Sequence, residues 1–192
     1  LPANGAQILD DFEENKNDVH QLINKQIVKK ILTNMEFLKK TQKDCADYHV
    51  KLKSYKNEVF HIDLHPHNIL TKNNKAVIID IESIKKTSWP VGVGFCFFKL
   101  LRQYFVYQKY NNHDIDFGFV KNITCKMGFL RNYRAPPFQD LLSGAQYEAL
   151  RRFLLIIDQN FKGKSSKWNS VLTIQMEALI EIEYLRNLLA GK

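Results

Sequence analysis

Eight consecutive residues, His61 to Asn68, hold one carboxylate, three of the chain's six histidines and one amide. Polar groups at that density cost stability when buried unless they serve a ligand or satisfy one another. Asp80 stands twelve residues beyond Asn68, with Glu82 two positions later. Between them, Lys72-Asn73-Asn74-Lys75 separates two short runs rich in Ile, Leu and Val, the pattern of two strands joined by a tight turn. A turn centred on Asn73 and Asn74 sets Asn68 within about one position of Asp80 on the opposite arm, and directly paired residues lie roughly 5 Å apart. The two oxygen side chains could therefore reach one cation.

An amide oxygen and a carboxylate are hard donors, suited to Mg²⁺ that keeps waters and phosphate oxygens in its other positions. Asp63 precedes Asn68 by five residues. A tight loop could set it beside the metal without making it a ligand, where a carboxylate can take the proton of an attacking hydroxyl. His61 is expected to be a buried imidazole that bonds backbone carbonyls and fixes the loop. His65 and His67 either cap the loop, face solvent or contact substrate, and Glu82 is expected to brace the loop rather than bind metal. A different chemistry is open to the same histidines and Asp63, because a His-x-Asp pair with a distant histidine is the ligand set of some non-haem iron oxygenases. Those sites sit in β-sandwich barrels, whereas most of this chain reads as helix.

The strings HIDLHPHNIL (61–70) and VIIDIES (77–83) resemble the catalytic and metal-binding segments of the aminoglycoside phosphotransferase and choline kinase-like families, distant relatives of the protein kinases. The family pattern is His-x-Asp-x-His-x-x-Asn, a hairpin, then Ile-Asp-x-Glu or Asp. The resemblance implies that Asp63 is the catalytic base and that Asn68 and Asp80 hold the magnesium bridging the phosphates of ATP. It makes His61 a brace of the loop, matches His65 to the second histidine and matches Glu82 to the trailing acid. It further implies an ATP-dependent phosphotransferase acting on a hydroxyl of a small molecule such as an amino alcohol, a sugar or an aminoglycoside.

Two departures from the pattern stand out. Ile62 and His67 occupy positions where the family usually carries glycine. Ahead of residue 58 there is neither a Gly-rich phosphate-covering loop nor a strand-borne lysine. Residues 1–192 are therefore expected to form a single kinase-like C-terminal lobe without its ATP-clamping partner, and alone to bind ATP weakly and turn over little. A lobe that has lost activity and serves as a binding scaffold is the second reading; the intact set of Asp63, Asn68 and Asp80 argues against it.

The elements that must position these residues are mostly helices. Leu22, Ile23, Ile27, Val28, Ile31, Leu32, Met35 and Leu38 recur at three- and four-residue steps, which predicts one long amphipathic helix from Val19 to Leu38. A weaker pattern predicts another at 44–53. Ala76 to Ile79 is apolar on both faces of its predicted strand, so it is expected to be buried. Gly92-Val93-Gly94 reads as a plain turn opening a largely apolar helix at 91–107. Further helices are predicted at 117–132, 137–142, 147–160 and 171–189, punctuated by Pro136-Pro137, Gly144 and the stretch 163–166. The fold class that follows is α+β and predominantly α, the C-terminal lobe of a protein-kinase-like fold with a small β-hairpin at the catalytic loop.

Composition sets the outer bounds. A chain of 192 residues with 45% hydrophobic and 25% charged residues suits one soluble globular domain. The net charge of +8 favours anionic partners such as a nucleotide or a phosphorylated small molecule. Basic residues come in scattered pairs, Lys29-Lys30, Lys39-Lys40 and Lys85-Lys86, without the dense aromatic-interleaved block that nucleic acid would ask for. Three cysteines without a CxxC spacing point to neither a disulfide framework nor a zinc site and fit a reducing, cytoplasmic setting. The longest apolar stretch, 91–101, is too short and interrupted to span a bilayer, so no membrane partner is expected.

Overall fold

The computed structural model describes residues 2, 4–15, 23–126, 138–162 and 169–189. Seven helices are described: α1 (Gly5–Glu14), α2 (Lys25–Thr33), α3 (Met35–Leu52), α4 (Trp89–Tyr110), α5 (Phe117–Lys126), α6 (Phe138–Phe161) and α7 (Leu172–Leu189). Between α3 and α4 lie four short strands, β1 (Asn57–His61), β2 (Ile69–Lys72), β3 (Lys75–Ile78) and β4 (Ile84–Ser88). They form two separate antiparallel pairs, β1 with β4 and β2 with β3. The architecture is α+β and predominantly α.

Helix α6 is the spine of the core. Leu141, Leu142, Ala145, Ala149, Leu150, Phe153, Leu154, Ile156 and Ile157 are buried on several sides of it, against α1, α3, α4 and α7. Each fully buried Leu or Phe contributes roughly 1.5–3 kcal/mol relative to exposure, so this helix fixes where the others lie. Helix α1 escaped the sequence reading. It buries Ile8, Leu9 and Phe12 at helical spacing against that core.

The predicted helix 19–38 is interrupted, and residues 16–22 lie outside the described set. At Asn34 the backbone leaves helical geometry, with φ at −108°. Its side-chain amide donates to the Lys30 carbonyl at 2.8 Å, capping α2 where a continuous helix would have run on. Helix α3 begins at the next residue and absorbs the predicted helix 44–53. The last residues of the predicted helix 117–132 also fall outside the described residues.

Glycines expected to punctuate instead lie inside helices. Gly92 and Gly94 belong to α4, and Gly144 sits within α6, which runs unbroken through both helices predicted there. A Cβ on Gly144 would overlap the carbonyl of Pro90, and one on Gly94 would lie 2.5 Å from the carbonyl carbon of Gly144. A Cβ on Gly92 would overlap the ring of Phe60 in β1. These glycines are contact points where backbones meet, the second use of the residue. Gly144→Ala should therefore lower stability by about 3 kcal/mol, at the upper end for an overpacked core. The melting temperature should fall by roughly 6–12 °C for a chain of this size, and an unchanged melting curve would show that the crossing is looser than described.

The expectation that the second hairpin arm is buried does not hold. Val77 is 53% exposed, and Ile78, Ile79 and Leu70 are also exposed. The pair β2–β3 hydrogen-bonds only to itself among the described strands, so its outer edges pair with no further strand there. Asn73 and Asn74 form the two-residue turn with φ of 51° and 59°, the left-handed pair that Asn tolerates in hairpins of this kind.

Candidate active site

The register of the hairpin pairs Ile69 with Ile78, which carries Asn68 and Asp80 to its open end. The Ile79 N–H donates to the Asn68 carbonyl at 3.0 Å, and the Asn68 N–H donates to the His65 carbonyl at 2.8 Å. The loop between β1 and β2 is thereby tied to the far arm. On its other side the Ile62 N–H donates to the Ser83 carbonyl at 3.0 Å, extending the β1–β4 pairing. Both strand pairs thus hold the segment that contains Asp63.

Asn68 is the hub. Its side-chain Nδ2 donates to the Asp63 carbonyl at 2.9 Å and to Asp80 Oδ2 at 3.3 Å. Ser83 Oγ donates to the same Asp80 oxygen at 3.1 Å. With the amide nitrogen turned inward, Asn68 Oδ1 and Asp80 Oδ1 are left without a hydrogen-bond partner among the described residues. Asp80 adopts the left-handed conformation at φ 63°, an uncommon backbone for a residue with a side chain and one that recurs at functional positions.

The donor set bears on the choice of ion. No group of three His, Cys, Asp or Glu that could hold a metal converges among the described residues. Two protein oxygens, one amide and one carboxylate, fit a magnesium ion that draws its remaining ligands from water and phosphate. The three histidines of the loop do not supply a nitrogen-rich cage. His61 Nε2 lies 2.9 Å from the Ile79 carbonyl; a carbonyl only accepts, so that nitrogen carries the proton and the ring links β1 to the end of β3. Its Nδ1 is buried without a partner among the described residues. His67 is exposed, with its ring edge-on to His65. Glu82 is exposed in the one-turn helix Ile81–Ser83 and is not brought to the other site residues by any hydrogen bond or ion pair described.

Asp63 is less free than its sequence context implied. Lys99 Nζ lies 3.3 Å from Asp63 Oδ1, and His65 Nε2 lies 3.7 Å from Oδ2. The ion pair with Lys99 is mostly enclosed, with side-chain exposures of 19% and 26%. Its geometry is not that of a hydrogen bond, and Oδ1 remains a buried oxygen with no donor aimed at it. Burial holds His65 below the usual histidine range, Lys99 pushes it the same way, and Asp63 opposes them. At neutral pH His65 is therefore a neutral ring beside the carboxylate.

Lys99, Ser83, Arg102 and Arg152 were not among the residues singled out from sequence. Ser83 was within reach of local reasoning, three positions beyond Asp80. The cations come from α4 and α6, and the one local signal was a Lys and an Arg one turn apart in an otherwise apolar helix.

Comparison with protein-family models, with curated proteins and with solved structures finds no match for this chain. Among the described residues, no helix is long and apolar enough to cross a membrane.

Proposed function

We propose that this chain is the catalytic lobe of an ATP-dependent phosphotransferase that uses magnesium and transfers to a hydroxyl of a small molecule. The observation that carries this reading is the convergence of Asn68 and Asp80 at 3.3 Å, with the same Asn68 amide tethering the Asp63 loop. In this reading Asn68 Oδ1 and Asp80 Oδ1 hold the ion, which neutralises the phosphate charge as it is passed on. Asp63 accepts the proton of the attacking hydroxyl. Lys99 faces the Asp63 carboxylate across an ion pair; His61 and Ser83 hold the loop and the left-handed Asp80.

The direct test is ³¹P NMR of ATP with the full encoded protein, over a panel of polyols, amino alcohols, sugars and their phosphate- and carboxylate-bearing derivatives, with and without magnesium. Formation of ADP and a phosphomonoester that requires both metal and acceptor is expected. Absence of transfer to every acceptor, or transfer indifferent to magnesium, would overturn the reading, and retained binding of a macromolecular partner without transfer would favour a scaffold.

A further inference from the structure

Three half-buried cations surround Asp63, and one carboxylate does not balance them. Lys99 and Arg102 lie one turn apart on α4, and Arg152 reaches in from α6. Their charged heads lie over aromatic rings: the Arg152 guanidinium is 4.5 Å and the Lys99 ammonium 5.2 Å from the centre of Phe95, and the Arg102 guanidinium is 5.7 Å from that of Phe98. Such packing desolvates the charged heads and fixes their direction.

Burial pulls the proton affinity of all three below the usual range, and each is pushed further down by neighbouring cations. Asp63 opposes this in every case. Glu148, which also acts on Arg152, is already committed to Arg151 through bonds of 2.7, 3.0 and 3.1 Å. Neither Arg102 nor Arg152 makes an ion pair among the described residues. Arg152 Nε is buried without a hydrogen-bond partner, as is Asp63 Oδ1. Desolvated and uncompensated positive charge is costly, and an anion relieves it.

Space for one exists. A cavity of about 440 Å³ is lined by Ile62, next to Asp63, by Lys85, Lys86, Arg151 and Arg152, and by Glu148, whose charge is taken up by Arg151, a volume that suits a small ligand. The larger cavity of about 840 Å³ lies toward the far end of α4. Its carboxylate Glu177 is already paired with Lys30 and with Lys109, and its lining includes none of the residues of the catalytic loop.

We infer that the acceptor of this enzyme carries an oxyanion, a phosphomonoester or a carboxylate, held by Arg152 and the Lys85-Lys86 pair, with the charges of Lys99 and Arg102 nearby, while its hydroxyl faces Asp63. This rests on the phosphotransferase reading for the word acceptor, and on the cation cluster alone for the oxyanion. Guanidinium groups recognise phosphate and carboxylate by paired N–H bonds, which an ammonium cannot match. An amine-bearing acceptor would be repelled from the same place.

The oxyanion is tested apart from catalysis by titrating the 192-residue chain with inorganic phosphate and with acetate, without nucleotide or magnesium. Saturable binding is expected, weakened at least roughly tenfold by Arg152→Gln, one lost charged hydrogen bond, less by Arg102→Gln, which acts through its charge alone, and unchanged by Lys109→Gln at the distant cavity. Tighter binding of phosphate than of acetate assigns a phosphomonoester; the reverse assigns a carboxylate. Should either arginine variant fail to fold, the Nε–H resonance of Arg152 in the unmutated chain must still shift on saturation. No saturable binding of either anion, or binding indifferent to both arginines, overturns the inference. In the transfer assay Arg152→Gln should raise KM for a phosphate- or carboxylate-bearing acceptor and leave KM for ATP alone. A rise for ATP alone would assign the cluster to the nucleotide and sink the inference while the phosphotransferase stands; saturable anion binding with no transfer would instead sink the phosphotransferase.

Discussion

Replacing Asp63 by Asn is expected to slow phosphoryl transfer by roughly 10²- to 10⁴-fold, the usual contribution of a positioned general base. Asn keeps the size of the side chain and an oxygen to face Lys99, but it cannot take a proton at neutral pH. The loop itself should survive, because the bond that ties it to Asn68 comes from the Asp63 backbone carbonyl, not its carboxylate. What the substitution does remove is the one negative charge that acts on Lys99, Arg102 and Arg152 alike. The variant should therefore bind inorganic phosphate more tightly than the unmutated chain even as transfer collapses. Affinity for magnesium-ATP, measured by titration on the chain as encoded, should stay within a few-fold. Full transfer activity in the Asp63→Asn variant would remove the base from the mechanism.

Asp80→Asn should fail differently. The left-handed backbone at this position suits Asn as well as Asp, and its amide oxygen can still accept from Asn68 Nδ2 and Ser83 Oγ, the two bonds that now end on Asp80 Oδ2. The fold should be kept. Under the proposed function the lost charge is the one that holds the metal, and a charged interaction of this kind is worth about 1.5–3 kcal/mol, or roughly 10- to 150-fold. Nucleotide affinity should fall by that factor when magnesium is present and barely change when it is absent, with turnover falling alongside. Equal loss under both conditions would place Asp80 in nucleotide contact or in folding, not at a metal.

How much of this could be read from the residues follows from distance along the chain. The relation of Asn68 to Asp80 is local: it needs only a turn at Asn73-Asn74, whose residue types announce it, and a register counted outward from there. The brace made by His61 is local in the same sense, since its partner carbonyl at Ile79 lies across the hairpin mouth. Lys99 meets Asp63, and Arg152 comes near enough to feel its charge, only because α4 and α6 cross beside the loop, and no pattern within either helix specifies that crossing. Gly144 misled for a related reason. A glycine that ends a helix and one that admits a neighbouring backbone look alike in sequence, and only the position of Pro90 tells them apart. The exposed strand β3 failed on a third ground, because an apolar run states a preference for cover without supplying it.

The notch formed by Gly94 and Gly144 also sets how freely this chain can vary. It is the place where α4 and α6 touch through their backbones, and it lies along the same helices that carry Lys99, Arg102 and Arg152. A methyl group at either glycine would prise the helices apart and move the cations away from Asp63. Two positions that have no side chain thus help to set where the charges of the candidate site lie, so under the proposed function substitutions there should cost transfer as well as stability. The helix surfaces turned to solvent, by contrast, are free to drift.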